Sequence, residues 1–286
     1  MANEQNTVFT VGGKSFTAVA VSTAAKAGEW IKTKLGGFSS LSTKYSASDL
    51  VTEVDKGSET MIRNLILTHF PNHAILGEEG VAPGPEASAE ALRQAQDAEY
   101  LWIVDPLDGT TNFVHSFPFF SVSIALAHRG EVIVGVVYNP LHDEMFVAEK
   151  GKGAYMHGQR IRVSAESKLA DSLVSTGFPS DDRHARPANV AGLNAVVPKV
   201  RNVRVVGSAA LHMAYVAAGR LSGFWEIGLS SWDVAAGALL VREAGGRVTD
   251  TEGRPYSLSV RNIVATNGAI HDELLGTLEA SQATGF

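Results

Sequence analysis

The sequence predicts an α/β protein made of two halves packed as one compact unit, an α+β half over residues 1–160 and an α/β half over residues 161–286. Three observations carry that expectation. Two helical periodicities open the chain, alternating apolar runs joined by short turns fill residues 101–148, and beyond Val163 strand-like and helix-like segments alternate. With 286 residues, 45% of them hydrophobic and 19% charged, the chain can build a sizeable core and lacks the composition of a disordered one.

Residues 17–35 place apolar groups at helical intervals and stop at Gly36-Gly37, which predicts the first helix. Residues 55–70 repeat the pattern with Met61, Ile62, Leu65 and Ile66 on one face and Pro71 just past the end. Ala74–Gly77 reads as a short buried strand ending at Glu78-Glu79-Gly80. Residues 81–99, rich in Ala, Pro and Glu, read as an exposed, mobile excursion with a helical turn or two. Strands are then expected at 101–104, 121–128, 132–138 and 144–148, separated by turns such as Arg129-Gly130 and Asn139-Pro140, as an antiparallel meander. In the second half a strand is expected at 203–206, a helix at 208–218, a strand at 223–227 and a helix at 233–244 that ends at Gly245-Gly246.

Composition excludes several function classes. A formal net charge of −6 offers no general attraction to nucleic acid or an anionic membrane. No cysteine is present, so disulfides, thiolate nucleophiles and Cys-ligated metals are excluded. The nine histidines are dispersed, with no His-x-x-x-His or His-Glu-x-x-His pair, which argues against zinc hydrolysis. His115 and His212 read as structural residues satisfied by ordinary hydrogen bonds. MANEQNTVFTVGGKSF lacks the basic start and apolar core of a secretory signal, and no apolar run approaches the ~20 residues that span a bilayer. A cytoplasmic location is the expectation.

The chemistry sits in four acidic places at element ends: Asp49 with Thr52 and Asp55, Glu78-Glu79, Asp105 with Asp108, and Asp233. Beside apolar strands, an unpaired carboxylate is costly to desolvate. In Asp105-Pro106-Leu107-Asp108 the chain leaves a strand and turns, bringing two carboxylates to one side with the Leu107 carbonyl between them, a hard oxygen set that suits Mg²⁺. Gly109-Thr110-Thr111 then permits close backbone approach to an anion. Taken singly, Asp-Gly-Thr can be an ordinary turn and Asp233 an ordinary helix cap; their co-occurrence favours chemistry.

Four segments together resemble the inositol monophosphatase family: Asp49-Leu50-Val51-Thr52-Glu53-Val54-Asp55, Gly77-Glu78-Glu79, Trp102 through Phe113, and Trp232 through Gly237. The similarity runs over most of residues 15–275 and is weakest at 81–99. The resemblance implies the layered αβαβα sandwich of the inositol monophosphatase and fructose-1,6-bisphosphatase type, and a Mg²⁺-dependent, lithium-sensitive phosphomonoesterase. Carried over, Glu78, Asp105, the Leu107 carbonyl, Asp108 and Asp233 would hold two or three Mg²⁺ ions. Glu78 counts with Asp49 and Thr110 among the catalytic residues; Thr110, hydrogen-bonded to Asp49, would orient the attacking water. The Gly109 and Thr110 amides, beside Asp108, would hold phosphate oxygens.

The resemblance also guides the substrate. Thr111-Asn112-Phe113 and Glu226, seven residues before Asp233, resemble the inositol-directed branch, in which a glutamate accepts ring hydroxyls. Gly207-Ser208-Ala209-Ala210 resembles its companion segment, with Ser208, Ala209 and Ala210 near the sugar ring. The expected activity is hydrolysis of myo-inositol monophosphate or another small phosphorylated polyol, by a homodimer with no nucleic-acid or membrane partner. One alternative is a fructose-1,6-bisphosphatase or broad sugar phosphatase, for which Arg183, Arg186 and Lys199 are the candidate second-phosphate groups. The other is a regulatory or scaffold protein that keeps the fold without turnover.

Overall fold

The computed structural model describes residues 10–11, 14–37, 41–43, 50–179 and 185–285. A short antiparallel pair, β1 (Thr10–Val11) and β2 (Lys14–Ser15), leads into α1 (Phe16–Lys34). Ser15 caps that helix, its hydroxyl accepting from the Ala18 amide at 3.0 Å. Phe16, Val19, Ala20, Ala24, Ala27 and Ile31 form its buried stripe. A second pair, β3 (Leu41–Thr43) and β4 (Leu50–Thr52), precedes α2 (Glu53–His69), which buries Val54, Ser58, Ile62 and Ile66. Both helices lie within two residues of their expected spans.

The next elements form a seven-stranded sheet. They are β5 (Ala74–Gly77), α3 (Pro85–Ala95), β6 (Tyr100–Asp108), α4 (Thr110–Val114), β7 (Ser121–His128), β8 (Glu131–Asn139), β9 (Glu144–Glu149), β10 (Gly153–Met156) and β11 (Gln159–Arg160). The strand order is β11-β10-β9-β8-β7-β6-β5, antiparallel throughout except for the parallel β5–β6 pair. The antiparallel meander is therefore as expected. The excursion is not: residues 85–95 form an eleven-residue helix started by Pro85 at its first turn and anchored by buried Leu92 and Ser88. Its low hydrophobicity reflects one narrow buried face rather than the absence of structure.

A second, five-stranded sheet follows, from β12 (Leu173–Thr176), α5 (Ala185–Val196), β13 (Asn202–Val205), α6 (Ala209–Ala217), β14 (Gly223–Ile227), α7 (Ser231–Glu243), β15 (Arg247–Asp250), β16 (Asn262–Thr266) and α8 (His271–Ala280). Its order is β13-β12-β14-β16-β15, with β12 parallel to both β13 and β14 and the other pairs antiparallel. The elements stack in five layers. Helices α1 and α2 cover one face of the large sheet, α6 and α7 lie between the sheets, and α5 and α8 cover the far face of the small sheet. Three apolar clusters fill the spaces between layers: Trp102 and Phe120 belong to the one under α1 and α2, Ile103 and Phe224 to the one on both sides of α6 and α7, and Trp225 and Leu278 to the one under α5 and α8. This is the αβαβα sandwich expected. Gly135 is what lets α7 lie close on the sheet, since a Cβ there would stand 2.7 Å from the Ala236 carbonyl oxygen. Among the described residues no helix is long and apolar enough to cross a membrane.

Candidate active site

The run Leu101–Val104 is apolar on both faces because β6 is covered on both, Leu101 and Ile103 by the inner helices and Trp102 and Val104 by the outer pair. Its end is where the ladder breaks. Asp105 faces Ser123 and Asp108 faces Ser121, so three steps on β6 match two on β7. Ser121 and Ser123 share one face of their strand, so the extra residue of this bulge brings both aspartates to that same face. Pro106 gives up no ladder N–H, and its carbonyl accepts from Ser58 Oγ at 3.0 Å, fixing the bulge to α2. Asp105 Oδ1 accepts from the Leu107 amide at 3.0 Å.

Parallel pairing brings in the next carboxylate. Gly77 lies beside Val104, so the turn 78–80 leaves β5 at the edge where β6 delivers Asp105, and Glu78 lines the same cleft. Behind it, buried Glu59 of α2 accepts from the Glu79 amide at 2.7 Å through Oε2 and from Arg63 Nε at 2.8 Å through Oε1.

Thr110 Oγ1 donates to Asp55 Oδ1 at 2.7 Å. Asp49, the expected partner of this hydroxyl, lies outside the described residues; the carboxylate that accepts from the hydroxyl among the described residues is Asp55. Asp55 is held by a capping box: its Oδ2 accepts from both the amide and the hydroxyl of Thr52 at 2.7 Å, and Thr52 Oγ1 accepts from the Val54 amide at 3.0 Å. The Thr110 hydroxyl also lies 3.1 Å from the Leu107 carbonyl, a second and longer acceptor, so the Asp55 contact is the stronger of the two. Both aspartates sit in one segment of the sequence, and the Thr52-x-x-Asp55 spacing is the signal that marks Asp55 as the fixed one. Glu59, four residues further along α2, belongs to no motif; its place behind the turn 78–80 shows only through its bonds to the Glu79 amide and Arg63.

The second half closes onto Asp108. Its Oδ2 accepts from Ser208 Oγ at 2.5 Å and from the Ala210 amide at 2.8 Å, at the first turn of α6. Ala210 is fully buried and its N–H donates to Asp108 Oδ2, a carboxylate that itself lines the cleft. Ser208 and Ala209 do line the cleft. Asn112 ties the same two turns together, its Nδ2 donating to the Phe119 carbonyl at 2.6 Å and the Val206 carbonyl at 2.7 Å. Gly109, at φ +100°, sits where a Cβ would lie 3.1 Å from the Phe119 oxygen and 3.2 Å from the Gly207 oxygen, so only glycine fits. Asp233 is the third residue of α7 and accepts from the Ser230 amide at 2.7 Å. It is thus a capping residue and a lining residue at once.

These segments enclose a cleft of about 380 Å³ lined by Glu78, Asp105, Leu107, Asp108, Gly109, Thr110, Glu226 and Asp233. Burial, followed by the charges of Glu78, Asp108 and Asp233, holds Asp105 well above the usual carboxylate range. Burial raises Asp108 to about 6 against the opposing hydrogen bonds from Ser208, Ala210 and Ala209. Burial likewise raises Asp55, against its bonds from Thr52 and Thr110. Glu226 is buried at the end of β14 with its carboxylate packed over Gly177. Arg183 lies outside the described residues; Arg186 and Lys199 are exposed and line no part of the cleft. Among the described residues, five acidic side chains line this cleft and no Lys or Arg does.

An anion could not enter such a cleft without cations to offset those charges. Among the described residues, no three His, Asp or Glu side chains already converge on one metal-holding point. The donor set still suits a hard divalent ion, being all oxygen, mutually repelling and partly desolvated. His212 departs from expectation: it is buried against Phe119 and Phe224, and neither ring nitrogen has a hydrogen-bond partner. Burial pushes its pKa down to about 3.

The model of the Inositol monophosphatase family matches residues 13–283. Inositol monophosphatase 2 of Solanum lycopersicum is 44% identical over 272 residues, covering 94% of this chain and 100% of the relative. Inositol-1-monophosphatase of Mesorhizobium japonicum is 42% identical over 258 residues, covering 90% and 93%. Among solved structures, the extragenic suppressor protein suhB of Bartonella henselae superposes with a TM-score of 0.82 at 42% identity, covering 92% of this chain and 97% of that one.

Proposed function

Because the chain belongs to the inositol monophosphatase family and is a phosphoric monoester hydrolase, we propose that its substrate is myo-inositol monophosphate, cleaved to myo-inositol and phosphate with Mg²⁺. The observation that carries the metal requirement is the cleft lined by five carboxylates without a described Lys or Arg. Glu78, Asp105, the Leu107 carbonyl, Asp108 and Asp233 are the residues that would hold two or three ions. Bound there, divalent ions would offset the phosphate charge, acidify the attacking water and take up charge on the leaving oxygen.

The chain's own residues supply the rest. Thr110 has its proton committed to Asp55, so its oxygen is left to accept from water and aim it. As water attacks, its proton passes to Thr110 Oγ1 while the Thr110 proton moves to Asp55 Oδ1. The other oxygen of Asp55 stays fixed by Thr52, and burial, which raises the affinity of Asp55 for a proton, makes it the better base. The Gly109 and Thr110 amides face the phosphate from the turn that Asn112 braces. Ser208 and the Ala210 amide act by holding Asp108 rather than by touching substrate. Glu226, across the cleft, accepts ring hydroxyls.

The same reading takes residues 1–160 and 161–286 as the two halves, the molecule as a cytoplasmic homodimer, and lithium as an inhibitor. A second phosphate would call for a cation in the cleft wall, and among the described residues no Lys or Arg lines it, which favours a monophosphate over fructose 1,6-bisphosphate. The test compares turnover on myo-inositol 1-phosphate, fructose 1,6-bisphosphate, adenosine 3′,5′-bisphosphate and histidinol phosphate at equal Mg²⁺. Highest kcat/KM on the inositol ester is expected; a preference for any bisphosphate would overturn the assignment.

A further inference from the structure

The half-buried guanidinium of Arg261 joins two walls of the cleft that come from opposite halves of the chain. Its Nη1 donates to the Pro85 carbonyl at 2.9 Å and to Ser88 Oγ at 3.1 Å, at the first turn of α3. Its Nη2 donates to the Gly228 carbonyl at 3.0 Å. The Arg261 carbonyl in turn accepts from the Gly228 amide at 3.0 Å and the Leu229 amide at 2.8 Å. One residue therefore holds the turn between Glu226 and Asp233 through both its side chain and its backbone, and fastens α3 to it.

Both fastened segments face the cleft. Val81, Ala82, Pro83 and Ser88 line it on one side, and Leu229 and Ser230 on the other. None of these six is charged, and none belongs to the turn 105–110 that carries the carboxylates and the phosphate cradle. Leu229 and Ser230 follow Glu226 by three and four residues, and the Arg261 contacts bring Pro85 and Ser88 to the same turn, so both walls lie near the group proposed to accept ring hydroxyls. A charged donor shared among three acceptors in a half-buried place is a strong tie, and its planar fork is matched poorly by lysine.

We propose that Arg261 is a specificity-determining clasp. It fixes the wall made by residues 81–88 against the turn 228–230, and so sets which alcohol the cleft accepts without taking part in the chemistry. The proposal rests on the hydrolase reading above for its kinetic consequence but not for its structural one. Tight walls exclude water and position a rigid polyol ring, whereas a small flexible alcohol gains little from them.

The test is Arg261→Lys, with Ser88→Ala as the milder variant should Arg261→Lys fail to fold. For Arg261→Lys, kcat/KM on myo-inositol 1-phosphate should fall about tenfold through KM, while turnover of glycerol 2-phosphate changes by less than about twofold. Ser88→Ala should move the ratio of the two substrates in the same direction by about twofold to threefold. An unchanged ratio in a folded variant overturns the clasp. In parallel, amide exchange of the metal-free protein should quicken about tenfold at residues 81–95 in Arg261→Lys and not across β6–β8; unchanged exchange at 81–95 also overturns it. A wild-type protein inactive on both esters would contradict the hydrolase reading, leaving the exchange measurement to decide the clasp.

Discussion

Thr110 and Asp55 are 55 residues apart in sequence, and the hydroxyl of one donates to the carboxylate of the other at 2.7 Å. The capping box at the start of α2 fixes that carboxylate, so in the mechanism proposed above a helix terminus would support the proton relay. Removing the hydroxyl, as in Thr110→Ala, or the charge, as in Asp55→Asn, should lower kcat by roughly 10²–10³-fold with KM little changed. Asp55→Asn should in addition cost about 1 kcal/mol of stability through the weakened cap, read by chemical denaturation. Near-normal kcat in both variants would remove Thr110 and Asp55 from the mechanism.

Burial, followed by the like charges of Glu78, Asp108 and Asp233, holds Asp105 well above the usual carboxylate range. Asp105→Asn keeps the volume and removes the repulsion. Turnover should be lost while the metal-free melting temperature stays level or rises, and the further rise that Mg²⁺ gives the wild type should shrink. A melting curve with and without Mg²⁺ checks this. A metal-free variant markedly less stable than wild type would contradict the repulsion argument.

The same repulsion has a pH signature. Asp108, at about 6 in the fold against 3.8 as its ordinary value, favours the folded state when protonated. That contribution is present below pH 3.8 and is lost as pH rises through about 6. Chelation of metal should therefore lower the melting temperature more at pH 8 than at pH 5. Equal losses at both would show that the cleft carboxylates are not the groups involved.

His212 works with the opposite sign. Its folded pKa of about 3 lies below the ordinary 6.5, so it stays neutral in the fold while the unfolded chain takes up a proton. Its stabilising contribution is full above pH 6.5 and is lost as pH falls toward 3, amounting to about 3 kcal/mol at pH 4. His212→Phe, which keeps an apolar ring between Phe119 and Phe224, should gain stability relative to wild type as pH drops from 6.5 to 4. Parallel stability curves across that window would contradict it.

Asn112 bridges a carbonyl of its own half and one of the other, Phe119 and Val206. Asn112→Asp sets a carboxylate against those oxygens and should cost about 2–3 kcal/mol in urea denaturation and lower kcat about tenfold. A variant as stable as wild type would mean that the tie is not felt.

What was legible in the sequence follows from where burial is two-sided or strongly periodic. β6 and the strands after it announce themselves because runs such as Leu101–Val104 and Val132–Val137 are apolar enough to stand out from their turns. The carboxylates at their ends stood out because apolar strands do not otherwise end in Asp-Pro-Leu-Asp. β12, β15 and β16 in the second half did not, since Leu173–Thr176, Arg247–Asp250 and Asn262–Thr266 are four or five residues long and share Ser, Thr or Asn with the surrounding loops. Helices α5 and α8 were hidden by weak periodicity, because each buries only a few residues against the outer face of the small sheet. Helix α3 is hard to see in the sequence because it buries only Ser88 and Leu92, and its tie to Arg261, some 170 residues away, lies in no local pattern. The Thr110–Asp55 hydrogen bond joins residues 55 apart and appears only when the end of β6 is placed against α2. Asn112 had been read for its family resemblance; its position as a tie between halves needed the contact with residue 206.

The most direct test of the central claim, that five cleft carboxylates serve metal-assisted hydrolysis of a phosphomonoester, is phosphate release from myo-inositol 1-phosphate as Mg²⁺ is titrated into chelator-treated protein. Saturable activity that appears with Mg²⁺ and disappears on renewed chelation is the predicted result. Release that is undiminished in chelator, or absent at every Mg²⁺ concentration, would contradict it.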